Sequence, residues 1–236
     1  MNQDDLKSLF DQQAAGYDAQ WAKTQPVRDC LHLLVEAAFA SLPSNATVLC
    51  VGVGTGAELG HLARKRPEWQ FTAVDPSSGM LDVCRQRAEA EGFAERCRFH
   101  EGYVESLDSD HRFDAATCFL VSQFILDRVD RVCFFQEIFS RLMPGGVLAS
   151  TDLASDVGSS EYDRLLRVWM NMMSASGVTQ EGLDRMRRAY ATDVGVIPPA
   201  AVASIIRESG FESVVPFFQA GLIHGWVSTR AGNAHD

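Results

Sequence analysis

The 236-residue sequence predicts an α/β fold: seven strands in a mostly parallel sheet closed by a C-terminal antiparallel hairpin, with helices ahead of the sheet and a small helical cap. Three observations carry this. From residue 47 to residue 153, short apolar β-favouring runs alternate with stretches of helical spacing, the rhythm of parallel strands joined by crossover helices. The first run, Thr47 to Val51, passes directly into glycines at alternate positions, and the second, Phe71 to Asp75, ends in an acid. Phe211 to Phe218 and Leu222 to Thr229 are two further β-rich runs, and the short glycine-containing connection between them permits only antiparallel pairing.

Ahead of the sheet, Asp4 to Tyr17 has helical spacing with Leu6, Leu9 and Phe10 on one face. Pro26 suits a first helical position, and Val27, Leu31, Leu34, Val35, Ala38 and Leu42 then recur at helical spacing up to Pro43. Residues 1–43 therefore read as a helical cover on a single domain spanning 1–236. At Gly52, Gly54 and Gly56 the backbone is free to take positive φ and approach a ligand, and the helix opening near Leu59 turns its unpaired N–H groups to the same point. Asp75, at the tip of the next parallel strand, stands where a carboxylate accepts the two hydroxyls of a ribose. Together these make a nucleotide site. Its ligand stays open at this point, because Gly52, Gly54 and Ala57 also satisfy the G-x-G-x-x-[GA] spacing of nicotinamide enzymes.

Pro76-Ser77-Ser78 reads as a helix start, with Met80, Leu81, Cys84 and Ala88 as the buried stripe. Cys97 to His100 is a third strand and Phe113 to Phe119 a fourth. The loops that follow them, Glu101 to Val104 and Phe119 to Gln123, come to the strand C-termini, where open α/β sheets take their ligands. Asp127 caps a helix with Val129, Val132, Phe135, Ile138, Phe139 and Leu142 inward, Met143-Pro144-Gly145-Gly146 ends it, and Val147 to Leu153 is the fifth strand.

Residues 155–198 leave that rhythm. Two helices, around Tyr162 to Ala175 and Gln180 to Tyr190, read as an inserted cap, and Tyr162, Leu165, Leu166, Trp169, Met170, Met172 and Met173 suit either an apolar acceptor or an ordinary core. Arg185, Arg187 and Arg188 suit an anionic acceptor or a solvated face. Pro198-Pro199 opens a last helix that Gly210 stops, and residues 231–236 read as a frayed tail.

Five stretches in order, FDQQAAGYD (Phe10 to Asp18), VLCVGVGTG, AVDPSSGML (Ala73 to Leu81), FDAATCFLVSQFI (Phe113 to Ile125) and LMPGGVLASTD (Leu142 to Asp152), resemble the class I S-adenosylmethionine-dependent methyltransferases. The likeness is to the small-molecule branch, which includes quinone-biosynthesis methyltransferases and carboxy-S-adenosylmethionine synthases. It implies a Rossmann-like seven-stranded sheet, with S-adenosylmethionine as cofactor and S-adenosylhomocysteine as product. It also implies a cofactor site built from Tyr17, Gly52, Gly54, Gly56, Asp75, Pro76, Met80, Tyr103, Val104 and Phe119, in which Tyr17 approaches the methionine end and Met80 lies on the adenine face. Many relatives have an Asp where this chain has Tyr103, and the departure implies that Tyr103 stacks in place of that carboxylate's bond to the adenine amino group. The Asn-Pro-Pro-aromatic motif of enzymes acting on bases or amides is absent after Phe119, where Leu120-Val121-Ser122-Gln123 stands.

A hydrophobic content of 46% in 236 residues suffices for one core, and a net charge of -10 argues against a nucleic-acid backbone as partner. The six cysteines are spread singly, which suggests reduced thiols, most of them in the core, and no metal site. With neither a leader pattern nor a long apolar run, a cytoplasmic protein without a membrane span is expected. The reading is methyl transfer to a small apolar or aromatic acceptor. Alternatives stay open: a nicotinamide-dependent oxidoreductase, a non-catalytic S-adenosylmethionine-binding module, or an enzyme handling carboxy-S-adenosylmethionine. A general base is not assigned among His32, His61, His100, His111 and His224, and a homodimer through the Met-rich cap is left open.

Overall fold

A computed structural model describes residues 2–108, 110–173 and 179–232. Its sheet contains β1 (Thr47–Val51), β2 (Gln70–Asp75), β3 (Cys97–Glu101), β4 (Phe113–Phe119), β5 (Leu142–Leu153), β6 (Ser213–Ala220) and β7 (Ile223–Thr229). The order is β3-β2-β1-β4-β5-β7-β6. The first five strands run parallel, and β7 lies antiparallel between β5 and β6. This is the expected parallel sheet with its closing hairpin, although the paired hairpin strands begin at Ser213 and Ile223, slightly later than the apolar runs.

Period-two alternation lets β1 serve both faces. Leu49 and Val51 point into a core shared with Phe135 and Ile138 of α6 (Arg128–Arg141) and with Val202, Ile205 and Ile206 of α9 (Pro199–Glu208). Val48 and Cys50 point to the other face, onto α3 (Gln25–Ala38), α4 (Ala57–Lys65) and α5 (Ser78–Ala90). Burial on both sides explains why these strands read as continuous apolar runs.

The helix expected over Asp4 to Tyr17 is instead α1 (Gln3–Gln13), a 3-10 turn (Ala14–Gly16) and α2 (Tyr17–Gln20), the break falling at Gly16, a poor helix former. α3 stops at Ala38, four residues before Leu42. β5 starts early: Leu142 already pairs with Phe113, and the register shifts before Ala115 meets Val147. Asp127 caps α6 as expected, accepting from the amides of Val129 and Asp130. The inward stripe of α6 is corrected at its first turn, where Val129 is 67% exposed and Arg131 is buried.

The cap consists of α7 (Ser160–Met173) and α8 (Gln180–Thr192). Its base is closed by a parallel bridge between Ala154 and Ile197, where the chain leaves and rejoins the sheet layer. The expected helix end at Ala175, the Met173 side chain and the tail beyond 232 lie outside the described residues. All six cysteines are free: Cys50, Cys84 and Cys118 are buried, Cys97 is half-buried, and Cys30 and Cys133 are exposed, which corrects the expectation that most lie in the core. Among the described residues no helix is long and apolar enough to cross a membrane.

Candidate functional site

Strand order reverses between β1 and β4, and the glycine loop leaves β1 at that point. Gly52, Gly54 and Gly56 all have positive φ, at 63°, 54° and 76°. Their surroundings differ. A Cβ at Gly52 would overlap Val121, and one at Gly56 would overlap Cys84 Sγ, so these two glycines let the loop pack against its neighbours. A Cβ at Gly54 would meet nothing within 4 Å, which leaves the middle of the loop open on its outer face. Gly56 is the N-cap of α4, so the free amides of that helix begin here.

Asp75 joins the two halves of the site. Its Oδ2 accepts from the Gly54 amide at 2.8 Å and its Oδ1 from the Ser77 amide at 2.9 Å. Burial pushes this carboxyl above the usual range, the Ser77 and Gly54 amides oppose that, and Asp11 adds to it. Pro76 is half-buried, and Met80 is buried with its amide donated to Ser77 Oγ, the cap of α5. In the loop after β3, Val104 is buried, Tyr103 is half-buried, and the Gly102 amide donates to the Asp75 carbonyl at 3.0 Å. Phe119 is half-buried and packs with the α3–α5 face of the core.

The N-terminal cover is fastened across this site by two carboxylates that sequence reasoning passed over. Asp11 Oδ1 accepts from Ser77 Oγ at 2.6 Å and from the Gly79 amide at 3.0 Å. Asp18 accepts from Thr55 Oγ1 at 2.8 Å and pairs with Arg87. Both are the acids of FDQQAAGYD, so the signal was present in that pattern. Between them, the Tyr17 ring lies 6.5 Å from Phe10 and 6.1 Å from Trp21, and Phe10 meets Phe124 edge-on. Burial pushes the Tyr17 hydroxyl up to about 12, with Asp75, Asp18 and Glu58 adding to the shift.

Glu58, in the first turn of α4, was also missed. Burial raises its carboxyl to about 7 against backbone hydrogen bonds and Arg87, and Asp75 raises it further. The folded protein thus holds this proton more tightly than the unfolded chain does. The contribution to stability is fully present below about 4.5 and is lost as pH rises through about 7. Glu58→Gln is therefore expected to melt above the wild type at pH 8 and level with it at pH 4. Equal melting temperatures throughout would contradict this. Of the histidines, His32 is buried 5.1 Å from the His61 ring, and burial followed by His61 lowers it to about 4; it is a packing residue between α3 and α4.

The family profile described as "Methyltransferase domain" matches residues 48–146, which is β1 through the start of β5. A carboxy-S-adenosyl-L-methionine synthase of Dichelobacter nodosus is 27% identical over 207 residues, covering 85% of this chain and 82% of that protein. Over residues 48–146 the chain is similar to the class I S-adenosylmethionine-dependent methyltransferases. The chain is also 32% identical over 212 residues to the biotin biosynthesis bifunctional protein BioHC of Teredinibacter turnerae, where the match covers 80% of this chain but only 36% of the longer relative. The structure of DhpI complexed with S-adenosylhomocysteine shares its fold, with a TM-score of 0.65 at 18% identity over 96% of this chain and 95% of that one. The methyltransferase-domain match supports S-adenosylmethionine as the cofactor. The open face of Gly54 beside the Asp75 carboxylate fits a nucleoside there.

Proposed function

We propose that the protein transfers a methyl group to a small apolar or aromatic acceptor held between the glycine loop and the cap. The observation that carries this is the direct Gly54–Asp75 contact, with an open loop face, at the point where strand order reverses. In this reading Gly52, Gly54 and Gly56 admit the cofactor, Asp75 takes the ribose hydroxyls, and Pro76, Met80, Tyr103, Val104 and Phe119 border the adenosyl moiety. Tyr17 and the cover fastened by Asp11 and Asp18 close over the methionine end and exclude water.

The cofactor supplies an already activated methyl group on a sulfonium, so the task of the chain is alignment. Support for an apolar acceptor comes from the cluster of Leu153, Tyr162, Leu166, Trp169, Leu222 and Ile223, against which Trp21 of the cover and Leu120 of the β4 exit loop also pack. Trp169 Nε1 donates to the Tyr190 hydroxyl at 2.9 Å, which holds the indole in one orientation. An anionic acceptor is less favoured, because Arg187 is paired with Asp163 and Asp184.

The test is a mass-spectrometric screen of purified protein with S-adenosylmethionine against phenols, quinols, apolar carboxylic acids and basic amines. Methylated product from the apolar classes is expected, with Trp169→Ala raising KM while S-adenosylhomocysteine affinity stays unchanged. Turnover confined to polar or cationic acceptors would refute the apolar reading, and a cofactor heavier by carbon dioxide when a carboxyl-donating co-substrate is added would transfer the assignment to carboxy-S-adenosylmethionine chemistry.

A further inference from the structure

Between α6 and the end of β5, the fold buries a charge pair that the cofactor site does not use. Arg131 and Asp152 are 2% and 0% exposed, and Arg131 Nη2 stands 3.2 Å from Asp152 Oδ2. Ser122 lies between them: its Oγ is 2.9 and 2.8 Å from the two Asp152 oxygens and accepts from Arg131 Nε at 2.9 Å. Arg131 Nη1 also donates to the Gly195 carbonyl at 3.1 Å, where the chain returns from the cap. A buried ion pair is often no more stable than apolar residues of the same volume, so stability alone does not account for this one.

Its connections give the account. Ser122 belongs to the β4 exit loop, and every neighbour in that loop is committed to a different part of the molecule. Leu120, held at φ 58° where non-glycine residues are strained, packs into the aromatic cap cluster. Val121 fills the space over Gly52. Gln123 accepts the Leu153 amide on its side chain at 2.7 Å and the Gly195 amide on its carbonyl at 2.6 Å. The loop therefore touches the glycine turn, the tip of β5, and both the packing and the return segment of the cap.

We infer that Arg131 and Asp152 are positioning residues: through Ser122 they fix the β4 exit loop and so set the cofactor half of the site, at Gly52, against the acceptor half, at the cap. This rests on the methyl-transfer reading above. Neither residue touches the reacting atoms. A Cβ at position 195 would stand 3.2 Å from the Gln123 carbonyl oxygen, so a side chain there would require this join to give by a few tenths of an ångström.

The test separates positioning from stability. Asp152→Leu alone leaves the Arg131 charge buried without its partner and is expected to lower the melting temperature. Arg131→Met with Asp152→Leu removes both charges and is expected to recover most of that loss. If the pair only stabilised the fold, the double variant would also recover S-adenosylhomocysteine binding. Positioning predicts that its Kd stays about tenfold weaker than wild type, with faster amide exchange at residues 119–124. Ser122→Ala keeps the ion pair and cuts its bond to the loop, leaving Arg131 Nε without its acceptor. It is expected to melt somewhat lower and to show the same loss of affinity when titrated well below its melting temperature, and it decides the matter if the double variant does not fold. Wild-type affinity in either variant overturns the inference and leaves methyl transfer standing, whereas a wild-type protein that binds no S-adenosylhomocysteine removes both.

Discussion

Asp75→Ala is expected to weaken binding of S-adenosylmethionine and S-adenosylhomocysteine by about a hundredfold or more, since hydrogen bonds to a charged group contribute roughly 1.5–3 kcal/mol each and every 1.4 kcal/mol is tenfold. An ionised carboxylate offers about four acceptor positions. Two are taken by the Gly54 and Ser77 amides, which leaves two for a ribose diol. The substitution removes those and also unties the glycine loop. Calorimetric titration with both sulfur nucleosides and with NAD is the check. Affinity left intact by Asp75→Ala would place the ribose elsewhere, and binding of NAD alone would defeat the nucleoside assignment altogether.

A second large effect is expected at the glycine loop, where neighbouring glycines should fail in different ways. Gly52→Ala places a Cβ on Val121 at a positive φ. Left-handed backbone costs about 1–2 kcal/mol and overpacking about 1–3 kcal/mol, so a loss of about 2–5 kcal/mol in unfolding free energy is expected. Val121→Ala in the same chain should recover the overpacking part, because it deletes the methyl groups that clash. Gly54→Ala faces open space and carries the backbone cost alone, about 1–2 kcal/mol, yet it obstructs the approach of a ligand to the loop. Chemical denaturation and S-adenosylhomocysteine titration of the three variants measure both effects. Equal destabilisation at positions 52 and 54, or normal ligand binding by Gly54→Ala, would contradict this picture.

The two substitutions illustrate which parts of the site were legible in advance. Spacing alone marked the alternating glycines and the acid at the end of the second strand. It did not distinguish a glycine that admits a neighbouring side chain from one that leaves room for a ligand, because Val121 comes from another strand exit almost seventy residues later in the chain. Likewise, Asp11 and Asp18 lie within a recognised pattern, but their partners Ser77, Gly79, Thr55 and Arg87 are known only once the cover has docked.

Arg131 shows the limit most clearly. In a helix with Val129 and Val132 on either side, helical periodicity favours the valines inward and the arginine in water. The fold buries Arg131 and exposes Val129, with Val132 still packed on the core, because Asp152 and Ser122 arrive from the ends of β5 and β4 to pair with the guanidinium. What the sequence determined by itself was local: strand and helix identity, caps, the glycine turn, the acid at the tip of β2 and the closing hairpin, all written in residue spacing and turn chemistry within a few positions of each other. Only the tertiary structure decided which charges are buried, which glycine faces open space and which loop joins the cofactor half to the cap. Those are pair interactions between residues distant in the chain, and a one-dimensional pattern carries no distance between them.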